Sequence, residues 1–289
     1  MRASIGGFSF NQLLSDGEMD IFGYLETVKY RYGLDAVDLW NGFFCDRNVP
    51  IWTLAGDDYL RKIRKALDEK QLTVANFAVD RAHVWDPDPE VREQLHRNAL
   101  AHLRAADILG AKSVRIDTNR GPGIMTEEQF DYTVRCYQEY AQLALDLGFT
   151  VGPENHTGAS LNPYWMKLVA EEIDHPGYGI LLHIGRWNEG NNQGDLMVAP
   201  YVNHTHLDAR TLVSSQAEET VRLLTNIGYT GYWAVEYNAP LNSYTELEWA
   251  LGSMKRVLAQ VEGKVPMLEA FPPAGGRGAM PSLPRYPSH

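Results

Sequence analysis

Residues 202–236 read VNHTHLDARTLVSSQAEETVRLLTNIGYTGYWAVE, and the fold can be argued outward from this stretch. It opens on a short run, VNHTHL (202–207), and closes on another, YWAVE (232–236). Both have the length and apolar content of buried parallel strands. Between them Ser215 and Glu218 have the Ser-x-x-Glu spacing of a capping box, so a helix is expected to begin there. Strand, helix, strand with a helix-length crossover is the pattern of parallel pairing.

The same pattern recurs towards the N-terminus. Six more strands are predicted at ASIG (3–6), DAVDL (35–39), LTVANFAV (72–79), SVRID (113–117), FTVGPE (149–154) and GILLH (179–183). Helices are predicted over 19–32, 57–70 and 162–174, with only a short turn near 194–200. Pro89, after Asp88, suits a first helical position, and Gly110 stops that helix. Thr126 opens a further one, ended by Gly148, and Ser243 with Glu246 forms a second capping-box spacing. Eight alternations point to one α/β domain, a closed (β/α)₈ barrel over 1–262. The alternative, an open doubly wound sheet, lacks a GxGxxG after an early strand.

Composition bounds the function. The 289 residues carry 26 Lys+Arg against 37 Asp+Glu, a formal charge of −11, which argues against a nucleic-acid partner. No stretch approaches the ~18 apolar residues of a membrane span, and the N-terminus does not read as a signal peptide. A cytoplasmic location is expected. Cys45 and Cys136 are far apart and imply neither a disulfide nor a metal site. Over 264–289 the chain has six prolines and three glycines, so 263–289 is expected to be an irregular tail. Through Phe271, Leu283 and Tyr286 such a tail could instead pack on another copy or a second subunit.

A barrel carries its active site at the C-terminal ends of its strands. Those ends here are Asp38, Asp80, Asp117, Glu154, His183, His206 with Asp208, and Glu236. Several carboxylates converging in a buried place need protons or a cation to neutralise them. Oxygen and nitrogen donors suit a divalent metal ion. Two residues past Glu154, His156 lies on the same face of an extended segment. It is a candidate general base or a brace for its neighbours. His204 bears the same relation to His206 and reads as a brace, while Asp208 and Arg210 continue along that face. Trp40, Phe43, Phe44, Trp52, Trp85 and Trp187 gather on predicted strand-end loops, as core residues or as a stacking wall for a ring. No phosphate-cradling loop of the P-loop type occurs.

The runs VGPENHTG, LLHIGRWN, HTHLDAR and GYTGYWAVEYN, with GLDAVDLW near Asp38, resemble the strand ends of the xylose-isomerase-like barrel family. The resemblance spans about residues 1–262. It implies one divalent ion on Glu154, His183, His206 and Glu236, with Mn²⁺ the first choice and Co²⁺, Fe²⁺, Zn²⁺ or Mg²⁺ as alternatives. His183 stands where most of the family has Asp. Losing that carboxylate lowers the ligand charge and should favour transition metals over Mg²⁺.

The resemblance further implies a keto-sugar or cyclic polyol substrate, with Glu154 and Glu236 as candidate proton carriers, beside which His156 is an additional candidate base. Trp40, Asp117, Trp187, His204, Asp208 and Arg210 are candidates for contacting it. Proton abstraction beside a carbonyl would give an enediolate, and proton return an isomerase or epimerase. Expulsion of a β-leaving group would instead give a lyase, such as a dehydratase or an enzyme cleaving 3-oxo-glycosides. A barrel that binds sugar without catalysis is the remaining alternative. A nuclease like endonuclease IV is disfavoured, because the sixth-strand Asp is missing.

Overall fold

The computed structural model describes residues 1–119, 121, 123–188 and 193–264. Its eight barrel strands are β1 Arg2–Ile5, β2 Ala36–Trp40, β3 Thr73–Val79 and β4 Ser113–Ile116. They continue with β5 Thr150–Gly152, β6 Ile180–His183, β7 Val202–Leu207 and β8 Tyr232–Val235. Hydrogen bonding groups them as β2-β3-β4-β5 and β1-β8-β7-β6, parallel throughout. Bridges Gly6–Asp38 on one side, and Val151–Tyr178 and Glu154–Leu181 on the other, join the two groups into a closed barrel. The open-sheet alternative therefore falls. Most of the tail predicted over 263–289, with Phe271, Leu283 and Tyr286, lies outside the described residues.

Every residue of β2 and β6 is buried, because helices cover one face and the barrel interior the other. The helices that alternate with the strands are α1 Ile21–Glu26, α2 Asp57–Glu69, α3 Pro89–Leu109 and α4 Glu127–Leu147. Next come α5 Pro163–Ile173, the short α6 Gly194–Val198, α7 Gln216–Asn226 and α8 Ser243–Val261. On α2, Leu60, Ile63, Ala66 and Leu67 form the inward stripe. Each such Leu or Ile stabilises the fold by about 1.5–3 kcal/mol relative to exposure.

Local chemistry explains the helix ends. Asp88 caps α3 by accepting from Glu90 N, and Thr126 with Gln129 makes a reciprocal capping box on α4. Gly110 and Gly148 end these helices at φ +69° and +84°, a conformation that costs glycine little.

Two capping predictions need correction. Ser215 has helical dihedrals and makes no capping bond, and α8 is capped by Asn242 rather than Ser243. Asn242 Oδ1 accepts from Thr245 N, while Glu246, one position beyond Thr245, accepts from Asn242 N, so the cap lies one residue earlier than predicted. The helix predicted over 19–32 is also shorter: α1 relaxes into a wide π-type turn at Thr27–Arg31.

Close packing between β5 and β6 fixes where the end of β5 lies. A Cβ on Gly152 would lie 1.9 Å from Gly179 O, so only glycine lets the strands approach here. Two residues later comes Glu154. Among the described residues, no helix is long and apolar enough to cross a membrane.

Candidate metal and acid–base site

Glu154, His183, His206 and Glu236 converge at the C-terminal mouth of the barrel. One carboxylate oxygen or ring nitrogen from each lies within 4.8 Å of the others. His183 Nδ1 is 3.0 Å from Glu154 Oε1, and His206 Nδ1 is 3.5 Å from Glu154 Oε1 and 3.4 Å from Glu236 Oε2. The first three are buried, whereas Glu236 is partly open.

Asp38 decides how His206 is presented. Its Oδ2 accepts from His206 Nε2 at 2.8 Å and from His204 Nε2 at 2.7 Å, all fully buried. Without a cation, burial lowers the His206 pKa, but Glu236, Asp38 and Glu154 outweigh it and raise the pKa well above its usual value. With a cation in place of that proton, Nε2 still donates to Asp38 and the lone pair falls on Nδ1, facing the two glutamates. Nδ1 is buried and has no hydrogen-bond partner, and the same is true of His183 Nε2. A buried imidazole nitrogen left unpaired between two carboxylates is what a metal ligand looks like when the cation is not counted. The four residues fit a divalent ion. Burial pushes the Asp38 pKa up, but the attraction of His204 and His206 outweighs it and holds the carboxyl below its usual range.

A second layer of charge surrounds Glu154. From mid-β4, Arg115 Nη1 donates to Asp80 at 2.8 Å, to Asp117 at 3.2 Å and to Val79 O at 3.1 Å. Its Nε lies 3.4 Å from Glu154 Oε2, and Arg186 Nη1 lies 3.4 Å from Glu154 Oε1. Burial works to raise the Glu154 pKa. Attraction to His206 and His156, and a hydrogen bond from His183, carry it well below the carboxylate range instead.

His156 does not hydrogen-bond Glu154 through its ring. Its Nδ1 pairs with Asp117 Oδ2 at 3.0 Å. Burial lowers its pKa, but Asp117 and then Glu154 raise it to about 9. The arrangement is a carboxylate–imidazole pair at the edge of a cavity.

That cavity measures about 560 Å³ and is lined by Phe8, Asp80, Arg115, His156, Arg186 and Glu236, among others. An adjoining recess of about 210 Å³ adds Asp208, Arg210 and Tyr237. A separate hollow of about 410 Å³, between Arg2, Lys112, Asn203 and Tyr232, lies at the opposite end of the barrel and holds none of the cluster. At the level of sequence, the family model described as "Xylose isomerase-like TIM barrel" matches residues 30–256.

The chain belongs to that family.

No curated protein matches the sequence. Among solved structures, this xylose isomerase-like barrel is similar to D-psicose 3-epimerase with D-tagatose from Clostridium cellulolyticum H10. The TM-score is 0.69 at 16% identity, covering 89% of this chain and 99% of that one. It is also similar to the probable 3-DHS dehydratase AsbF of Bacillus anthracis, at TM-score 0.66 and 12% identity, over 88% and 99% of the chains. A third similar structure is the 3-keto-D-glucoside 4-epimerase YcjR of E. coli, at TM-score 0.64 and 14% identity, over 82% and 94%. Identities this low speak for the fold alone.

Within the barrel the other predicted site residues take distinct places. Trp40 is buried, with Nε1 donating to Asp80 Oδ2 at 3.0 Å, and packs edge-on against Phe8, Phe43 and Trp52. Trp187 donates to Asp195 at 2.7 Å. Trp85 packs on Tyr132 beneath Arg92, and Phe44 on Phe77. None of these lines the 560 Å³ cavity; Phe8, which the sequence reading passed over, does. His204 pairs with Asp38 and packs edge-on against the His206 ring. Asp208 caps the short helix Ala209–Leu212 and lies 3.7 Å from His183 Nε2, whereas the Arg210 side chain is 94% exposed.

Sequence reasoning also missed Arg115, Arg186 and Asn155. Asn155 is fully buried, accepts from His183 N at 2.6 Å and donates to the carbonyls of His183 and Arg186, both at 2.8 Å. It thereby locks the end of β5 to the end of β6. An asparagine between Glu154 and His156 was the available signal.

Proposed function

We propose that this barrel is a divalent-metal-dependent enzyme that removes a proton next to the carbonyl of a keto-sugar or cyclic polyol. The observation that carries this is the unpaired Nδ1 of His206, set by Asp38 between Glu154 and Glu236 at the edge of a polar cavity. Glu154, His183, His206 and Glu236 would hold one ion. Bound there, it supplies a Lewis acid that polarises a carbonyl oxygen and stabilises charge left by a departing C–H proton. Two imidazoles and two carboxylates favour Mn²⁺ and its transition-metal neighbours over Mg²⁺.

The side chains divide the remaining work. Glu236 faces the cavity and is the acceptor for the proton. Arg115 and Arg186 flank Glu154 and orient it. His156, steadied by Asp117, stands at the cavity as the second proton carrier. Return of the proton at a new face or carbon gives an epimerase or isomerase.

A lyase is the second reading, and one observation favours it. The His156 ring, hydrogen-bonded to Asp117 through Nδ1, stands at the cavity edge and is placed to pass a proton to a departing oxygen. The test is incubation of the Mn²⁺-supplemented protein in D₂O with D-tagatose, D-fructose, D-fructuronate and 3-oxo-glucosides, followed by NMR. Deuterium entering beside the carbonyl is expected, with an epimer or an eliminated product distinguishing the two fates. No exchange and no product with any of them would overturn the proposal.

A further inference from the structure

The guanidinium of Arg115 is almost wholly buried, its side chain 4% exposed, yet only part of its donor capacity is used. Nη1 has three acceptors. Nε has no hydrogen bond and is sealed in beside Glu154. Nη2 also has none among the described residues, and Arg115 is one of the residues that line the 560 Å³ cavity. Holding an arginine at such depth is costly unless its donors find partners.

One more cationic donor faces the same space. Arg186 lines it with a half-buried side chain. The nearby acceptors are largely spent. Asp80 takes Trp40 and Arg115, Asp117 Oδ2 takes Arg115 and His156, and Glu154 Oε1 takes His183. Asp117 Oδ1 is unpartnered but sealed from any ligand. Glu236 is thus the main exposed acceptor in a cavity rich in spare cationic N–H groups.

We infer that the Arg115 side of this cavity is a carboxylate-binding subsite formed by Arg115 and Arg186. Surplus charged donors select an acceptor-only, anionic group, and a planar guanidinium matches a carboxylate better than a hydroxyl. Resting on the proposed chemistry, this narrows the substrate to an acidic sugar or a cyclic hydroxy acid.

Calorimetric titration of the Mn²⁺-loaded protein with shikimate and methyl shikimate tests it, since the two share a ring polyol and differ in one charge. D-glucuronate and D-glucose repeat the comparison on a pyranose, and D-tagatose serves as a neutral ketose. In at least one pair the acid is expected to bind ~10–100-fold more tightly. Arg115→Gln should abolish that preference and Arg115→Lys should reduce it, with circular dichroism confirming the fold. Arg115→Gln leaves Asp80, Asp117 and Glu154 without their cation; if it does not fold, Arg115→Lys and Arg186→Gln carry the comparison. Equal binding of acid and neutral partners, or a preference that survives the variants, overturns the subsite. If D-tagatose alone binds, the subsite falls and the keto-polyol chemistry stands. If the acids bind as expected but the D₂O experiment shows no exchange, the subsite stands and that chemistry falls. Failure of all five probes overturns both.

Discussion

Asp38 Oδ2 lies 2.8 Å from His206 Nε2, so one buried carboxylate on β2 determines which nitrogen of a β7 histidine faces the two glutamates. Asp38→Asn would keep the shape but lose the charge that fixes the tautomer. Affinity for Mn²⁺ is expected to fall ~10–100-fold, the usual scale for losing a carboxylate behind a metal-binding histidine. Metal titration of the purified variant measures it; unchanged affinity would dissociate Asp38 from the site.

Glu236 is the one member of the cluster that opens to the cavity. Glu236→Gln keeps the volume and removes the negative charge. Metal binding is expected to weaken by at least ~10-fold and turnover to vanish. Full metal occupancy together with full activity would remove Glu236 from both roles.

His156 hydrogen-bonds Asp117 through its ring, not Glu154, and this separates its functions. In His156→Ala, Mn²⁺ content should stay close to wild type while turnover drops ~10²–10⁴-fold. Assaying the variant across a metal titration decides the matter. Recovery at saturating metal would mean that the ring merely braces the cluster.

Away from the site, His102 predicts an acid sensitivity. Nδ1–H donates to Asn98 O, and Nε2 accepts from Asn41 Nδ2, whose own Oδ1 is held by Asp80 N. The neutral ring is therefore satisfied and a proton on Nε2 would face a donor. Burial lowers the pKa from 6.5 to about 4, although the Asn98 carbonyl opposes this. Between those values the unfolded chain binds more protons than the folded one, so stability declines as pH falls through that window. The loss from this residue approaches ~3 kcal/mol near the lower end. Urea unfolding from pH 7 to 4.5, in wild type and His102→Gln, should show a shallower slope in the variant. Parallel slopes would exclude His102 as the cause.

Gly152→Ala tests the β5–β6 approach. The new methyl would meet backbone rather than a movable side chain. A loss of about 3 kcal/mol or more is expected in denaturant unfolding; less than 1 kcal/mol would show that the strands can separate without cost.

All eight strands were legible because short apolar runs bounded by Gly, Asp or Asn carry their own punctuation. Glu154, His183, His206 and Glu236 stood out as residues at or just beyond strand ends, the resemblance named them as one set, and the structure brings them together. Arg115 was not, since it lies mid-strand in SVRID, where the pattern is read for apolar content. The partnership of Asp38 with His206 spans 168 positions, and no local spacing encodes it. Asn242 took the cap from Ser243 because both residue types serve there, and only backbone dihedrals choose between them.

The barrel is made of two four-strand leaves, and the chemistry is divided unevenly between them. One leaf carries His183, His206 and Glu236. The other carries Glu154, its arginine Arg115, the Asp117–His156 pair and Asp38. Asn155 is a rivet across one hinge line, while Asp38 reaches across the lumen to the opposite leaf. Prying the leaves apart at either seam would strip His206 of its orienting carboxylate or His183 of Glu154, before any helix melted. Catalytic competence should therefore report on closure of the whole ring, and be lost in one event rather than by degrees.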